Sequence, residues 1–246
     1  MLTLWFRVWH TAGVPPATGR RQRNRIETLA ALKSAARTHL GEHGAAALSV
    51  RAIARDLGMV SSAVYRYVRS RDELLTLLIV DAYDALGSAA EAAATESTGQ
   101  APATRWVSVG SAIRGWAREH PHEYALVYGS PVPGYAAPPD TVAPALRVTR
   151  ALTGVVADAH AAGRLSTGSP EPLPTTLHGD FTAVAAALGV ALPPEALARA
   201  TIAWSQLFGL LSFELFGQTR HGFTDDGELF RAALASMAAY IGLPDD

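Results

Sequence analysis

The sequence predicts an all-α fold: a three-helix head holding a helix-turn-helix, joined by a fourth helix to a larger helical body. Two patterns predict it. Apolar residues recur at three- and four-residue spacings, with no alternating strand pattern of useful length. Serines, prolines and glycines stand where such helices start and stop. Charge then separates head from body. Between Arg20 and Glu73, eleven cations face five carboxylates, a balance of +6, while from Leu74 onward nine arginines face seventeen carboxylates, a balance of −8. The whole-chain net charge of −1 thus hides a basic head on an acidic body. Such asymmetry is associated with binding nucleic acid or an anionic surface.

Composition sets outer bounds. A chain of 246 residues, 49 % hydrophobic and 17 % charged, can bury a substantial core and is not disordered. The absence of cysteine excludes a disulfide scaffold, thiol catalysis and cysteine-ligated zinc. No apolar run approaches the ~20 residues of a membrane span, so no membrane partner is expected. Residues 1–19 hold Trp5, Phe6 and Trp9 around Arg7, then Pro15-Pro16, and read as a loose tail rather than a signal peptide. The cytoplasm is the expected location.

The elements follow in order. Ile26, Leu29, Leu32, Ala36 and Leu40 predict a helix from Arg20 to about His43, ended by Gly41 and Gly44. Ser49 is a plausible N-cap for a short helix through Leu57, closed by Gly58. Ser61 to Val68 reads as a two-turn helix, and Ser70 caps a fourth helix running to about Ala94, with Asp72 and Glu73 in its first turn. Polar residues 95–103 make a boundary. Helices are then expected over 104–120, 122–128, 142–162, 177–188, 193–217 and 225–241. Proline- and glycine-rich loops at 129–140 and 168–174 separate some of these. The expected division is a helix-turn-helix head over 20–85 and a larger helical body over 86–246.

The span from Leu48 to Val68 meets the needs of a groove-reading motif. Ser61, Ser62 and Ala63 are small or polar at the helix start, so backbone can approach base edges. Ile53, Leu57, Val64 and Val68 supply the docking face, and Gly58 the turn. Ser49, Arg51, Tyr65, Arg66, Tyr67 and Arg71 are placed to hold phosphates. A generic helical hairpin with buried tyrosines would share the spacing.

The run Ser49 to Gly58, followed by Ser61-Ser62-Ala-Val-Tyr65-Arg-Tyr67-Val and then Ser70-Arg71-Asp-Glu-Leu74, resembles the N-terminal domain of TetR-family transcriptional regulators. Tyr67 stands for that pattern's histidine, Val68 for its phenylalanine and Arg71 for its lysine. Each keeps the role of its counterpart. The body resembles a branch of the family with a Trp…His-Gly signature, through Trp204, Leu207, Gly209 and Glu214. Trp116, His120-Pro121, Tyr124 and Gly134-Tyr135 precede them, and Phe208 stands in the histidine place. The resemblance implies a homodimeric, ligand-responsive repressor on a pseudo-palindromic double-stranded DNA operator, with no cofactor.

Residues 200–216 are apolar nearly all round, so that helix must be covered on both sides. Leu207, Leu211 and Leu215, with Phe230, Leu234 and Met237 of the last helix, are the expected dimer interface. A fully buried central helix in a monomer would read the same. Trp116, Tyr124, Tyr128, Tyr135, His178, Phe181, Trp204 and Phe208 are expected either as core or as the lining of a pocket for a small apolar or aromatic effector. One enzyme alternative is a zinc hydrolase: His39-Leu-Gly-Glu42-His43 fits a His-x-x-Glu-His pattern, with Glu119 as a third ligand. Against it, Gly41 sits between the histidines where the helix ends.

Overall fold

Local chemistry sets where the helices begin. Ser49 Oγ accepts the Ala52 amide at 3.3 Å, and Ser70 Oγ accepts that of Glu73 at 3.0 Å. Asp225 Oδ1 accepts the amides of Gly227 and Glu228 at 2.7 and 3.0 Å. Each occupies backbone donors that a first turn leaves without partners. Proline opens three further helices, where its missing N–H costs nothing. The structure, a computed structural model, describes residues 17–166, 173–219 and 222–246. Those residues form ten α-helices and no strand. They are α1 (Ala17–His43), α2 (Val50–Asp56), α3 (Ser61–Val64), α4 (Arg71–Glu96) and α5 (Pro102–Glu119). α6 (Pro121–Tyr128), α7 (Val142–Ala161), α8 (Thr175–Leu188), α9 (Pro194–Leu215) and α10 (Asp226–Ile241) complete the body.

The all-α expectation holds. Most of the expected tail (residues 1–16) and most of the 168–174 loop lie outside the described residues. α3 is shorter than the two turns expected. After Val64 the chain tightens into turns, with the Tyr67 amide donating to Val64 O at 2.8 Å. This brings Val68 into the core within reach of the Ser70 cap.

Two apolar cores result. In the head, Leu32 of α1, Ile53 of α2 and Val64 of α3 close on Leu74, Leu75 and Leu78 of α4. In the body, α5, α7, α9 and α10 close around Trp106, Ile113, Leu152, Leu207 and Phe230, and Ala82, Leu86 and Ala90 of α4 join them. α4 therefore belongs to both cores. Each fully buried leucine contributes about 1.5–3 kcal/mol relative to an exposed one.

Charged clamps fix α4 against its neighbours. Arg147 of α7 donates to both oxygens of Glu91 (2.8 and 2.6 Å), to Asp84 Oδ1 (2.7 Å) and to Ser88 Oγ (3.0 Å). Hydrogen bonds from Arg147 hold the Glu91 carboxyl below its ordinary range, and those carboxylates push the guanidinium pKa up. Toward the head, Asp81 of α4 takes Lys33 and Arg37 of α1 at 2.8 and 2.6 Å. Arg37 also reaches Glu123 of α6 at 2.9 Å.

Gly87 sets how closely α4 and α7 approach, since a Cβ there would stand 2.7 Å from Arg147 Cβ. Gly115 of α5, by contrast, has nothing within 4 Å of a Cβ. Gly115→Ala should raise stability by up to about 1 kcal/mol through helix propensity. Gly87→Ala should lower it, because overpacking of about 1–3 kcal/mol exceeds the same gain. Urea denaturation of the two variants checks the opposite signs.

Candidate functional site

The head places the expected reading residues on one projecting edge. Gly58, at φ +63°, turns the chain out of α2 in a left-handed conformation that other residues resist. α3 then starts with Ser62 exposed and Ser61 and Ala63 half-buried. Val60, which precedes them, is 70 % exposed and is an apolar surface residue that sequence reasoning missed. Arg51, Tyr65 and Arg66 are exposed around this edge, and Ser49 keeps a hydroxyl proton to donate while its oxygen caps α2. Tyr67 is half-buried against the head core, with the Arg25 guanidinium 5.6 Å from its ring centroid. Arg25 also donates to Arg66 O at 3.3 Å, so α1 braces the turn after α3.

Arg71 differs from expectation. Its Nη2 donates to Ala45 O and Ala46 O at 3.0 and 3.2 Å, and Nη1 lies 3.4 Å from Asp72. The guanidinium is a strut between the start of α4 and the 3₁₀ turn before α2. A long side chain at a helix start finds free carbonyls close by, and only tertiary structure reveals them. Nearby, the Glu73 carboxylate accepts from the Arg69 amide and side chain, and the backbone bond chiefly holds its pKa below the ordinary range.

The expected aromatic pocket residues are not gathered in one cavity. Tyr124, Tyr128 and Phe208 stack in sequence, with ring centroids 5.3 and 4.2 Å apart, and fill space themselves. Tyr124 Oη donates to Phe208 O at 3.2 Å and accepts from Ser212 Oγ at 2.9 Å, and burial pushes its pKa up to about 12. Trp116 packs on His120, Tyr135 bonds Thr76 of α4 at 2.9 Å, and Phe181 packs half-buried on the core. His178 sits against Leu173 O and Glu195 at 3.3 and 3.5 Å. Trp204 alone of the eight lines the apolar cavity of about 310 Å³ between α5, α7, α8 and α9. Aromatics at helical spacing pack against one another first, and this cavity is walled mainly by aliphatic and threonine side chains, with Trp106 and Trp204 as its aromatic residues.

The expected interface residues need the same correction. Leu207, Leu211, Phe230, Leu234 and Met237 are buried within the chain's own core, and Leu215 packs against it. The opposite stripe of α9 is uncovered instead. Ile202, Phe213 (55 % exposed) and Phe216 project there, and Tyr240 of α10 is exposed beside a groove running past Gly209 and Ala233. A helix apolar on both faces does not reveal from its sequence which face turns inward.

The zinc pattern does not assemble. His39 is buried and stacks on His43 at 4.4 Å between centroids, and His43 lies 3.7 Å from Glu42. Among the described residues no group of three or more His, Cys, Asp or Glu could hold a metal, Glu119 included. Among those residues no helix is long and apolar enough to cross a membrane.

Comparison with known proteins agrees with this build. A family model described as bacterial regulatory proteins, tetR family, matches residues 32–78. A second, described as tetracyclin repressor-like, C-terminal domain, matches residues 106–237. HTH-type transcriptional regulators of Mycobacterium bovis and Mycobacterium tuberculosis are 40 % identical over 228 residues, covering 91 % of this chain and 96 % of theirs. The crystal structure of regulatory protein SCO4313 matches with a TM-score of 0.72 at 34 % identity, covering 89 % of this chain and 98 % of that one. A protein of unknown function from Rhodococcus sp. RHA1 matches with a TM-score of 0.66 at 22 % identity, covering 87 % and 94 % of the two chains, and shares the fold. A helix-turn-helix head on an all-helical body defines a DNA-binding transcription regulator rather than an enzyme. With both halves matched, the chain belongs to the TetR family of bacterial regulatory proteins.

Two outcomes test the head. Arg71→Ala should lower stability by about 1–2 kcal/mol through loss of the strut to Ala45 and Ala46. Glu73, with its lowered folded-state pKa, contributes stability that is present above its unfolded value and lost as pH falls through the folded value. Urea midpoints should therefore fall on acidification through the carboxylate range, and Glu73→Gln should remove part of that fall.

Proposed function

We propose that this regulator is a homodimeric repressor that reads a pseudo-palindromic operator and is released by a small apolar or aromatic effector. The observation that carries the reading is the exposed start of α3, with Ser62 outermost and Arg51, Tyr65 and Arg66 around it on a head of charge +6. An exposed serine can approach base edges, and cations beside it hold phosphates without reading sequence. Ser61, Ser62 and Ala63 approach bases; Ser49, Arg51, Tyr65, Arg66 and Tyr67 anchor the backbone. Arg71 serves by holding the turn before α2 in place. The acidic body is repelled by DNA, which favours docking through the head and counts against indiscriminate coating. The reading divides the chain at residues 85 and 86 within α4, a few residues beyond the passage from Leu78 of the head core to Ala82 of the body core. Trp204 and Gly209 support reading the body as a member of the Trp…His-Gly branch, with Phe208 in the histidine place, and the reading takes the bacterial cytoplasm as the site of action.

The second subunit covers the stripe of Ile202, Phe213 and Phe216 with the adjoining face of α10. Open space above Gly209 lets a partner helix come close. Pairing two heads then fits half-sites about 34 Å apart or a multiple of it.

Mobility shifts with the DNA flanking its own gene test the whole reading; a specific complex is expected, and competition by random DNA at equal concentration would refute it. Arg66→Ala should weaken binding to all sequences alike and reduce the salt slope by about 1. Ser62→Ala should change which sequence is preferred. Phe213→Glu places a carboxylate in the proposed interface and should yield monomers in sedimentation, with loss of operator affinity.

A further inference from the structure

The cavity between α5, α7, α8 and α9 has a chemistry that specifies its occupant, given the reading of the body as an effector domain. Its volume, about 310 Å³, is at the lower end of small-molecule sites, and its walls are almost entirely apolar. No charged side chain lines it. Of its three threonine hydroxyls, that of Thr153 donates to Thr149 O at 2.7 Å and that of Thr201 to Leu197 O at 2.8 Å, so two of the three protons are spent within their own helices. Trp106 of α5 and Trp204 of α9 differ from them. Their indole Nε1 atoms are both buried with no hydrogen-bond partner. An indole nitrogen can only donate, and a buried donor left unpaired costs roughly 1–3 kcal/mol. Two tryptophans that line one apolar cavity thus each carry a donor short of an acceptor, which a ligand oxygen reaches by a small turn of the ring.

We propose that this cavity binds an uncharged, mainly apolar compound carrying a carbonyl or ether oxygen, and that this oxygen accepts the hydrogen bond of an indole Nε1–H. A carboxylate or ammonium ligand is excluded, because it would lose its water with no counter-charge to replace it. A pure hydrocarbon fills the volume but leaves both donors unpaired. Entry involves α8, whose Val184 forms a partly exposed wall. α8 is held to α7 at its C-terminal end, where Arg150 donates to Leu188 O and Ala187 O at 3.2 and 3.3 Å.

The test is calorimetry on the full chain with three probes of one shape: benzophenone, diphenylmethane and 4-benzoylbenzoate. Benzophenone is expected to bind once per chain, diphenylmethane about 3- to 10-fold more weakly, and 4-benzoylbenzoate not at all. Either Trp106→Phe or Trp204→Phe should bring benzophenone down to the affinity of diphenylmethane while leaving diphenylmethane unchanged. Equal binding of the ketone and the hydrocarbon, or an effect in neither variant, overturns the acceptor assignment. Ala200→Phe fills the cavity and should abolish binding; Val184→Trp, at the partly exposed wall, makes the same test should the first variant not fold. Benzophenone binding that survives both overturns the location. Mobility shifts on the same samples separate the two readings. Operator binding with no probe bound overturns this cavity and leaves the regulator standing, whereas probe binding without operator binding overturns the regulator instead.

Discussion

α4 is the member on which the rest of the structure depends. Its 26 residues make a rod about 39 Å long that enters the head core at Leu74 and leaves the body core at Ala90. Neither core closes without it. Its Ser70 cap and the Glu73 carboxylate fix one end, and the Arg147 clamp with the close approach at Gly87 fixes the other half to α7. A rod packed in two cores cannot shift in one without straining the other, because packed interiors transmit displacement. Arg37 adds a second tie, joining α1 at once to Asp81 of α4 and Glu123 of α6.

That arrangement changes how the charge of the head is read. A balance of +6 suggests a uniformly basic surface, yet Lys33 and Arg37 spend their charge on Asp81 and Glu123 at the junction with the body. Arg71 spends its hydrogen bonds on the turn before α2, and Arg69 pairs with Glu73. Arg51, Arg55 and Arg66 remain exposed around α2 and α3. The head thus has two sets of cations: those that hold it together and to the body, and those that face outward. Only the second set can contribute to a salt-dependent interaction with phosphate.

How much of this could be read from the sequence depended on whether the determining contacts were local. Helix starts at Ser49 and Ser70 were legible because a cap acts within three residues. The turn at Gly58 was legible for the same reason. The two faces of α9 were not: Leu207 and Phe213 are equally apolar, and only the position of α5 and α10 decides that the first is buried and the second exposed. The aromatic residues were legible as a set but misleading as a site, since Tyr128 and Phe208 stack on each other and leave no room between them. The apolar cavity joins Trp106 and Trp204 to threonines, alanines and leucines of four helices, a grouping that only the packing of those helices reveals.

α7 connects these observations. One of its faces, at Leu146, Thr149 and Thr153, walls the apolar cavity, while Arg147, one residue from Leu146, grips Asp84 and Glu91 of α4. A side chain bound to two carboxylates by bonds of 2.6 to 2.8 Å moves with its helix. Any compound that changes the position of α7 therefore acts on α4 through a charged contact, and on the head through Leu74 and Leu78 of the same rod. Linkage makes the relation reciprocal: a ligand of the body that disfavours the DNA-bound arrangement must itself bind less tightly when DNA is held. The size of that coupling is set by the difference in a ligand's affinity for the two arrangements. The absolute affinity of either ligand does not determine it, because a ligand that binds both states equally shifts nothing.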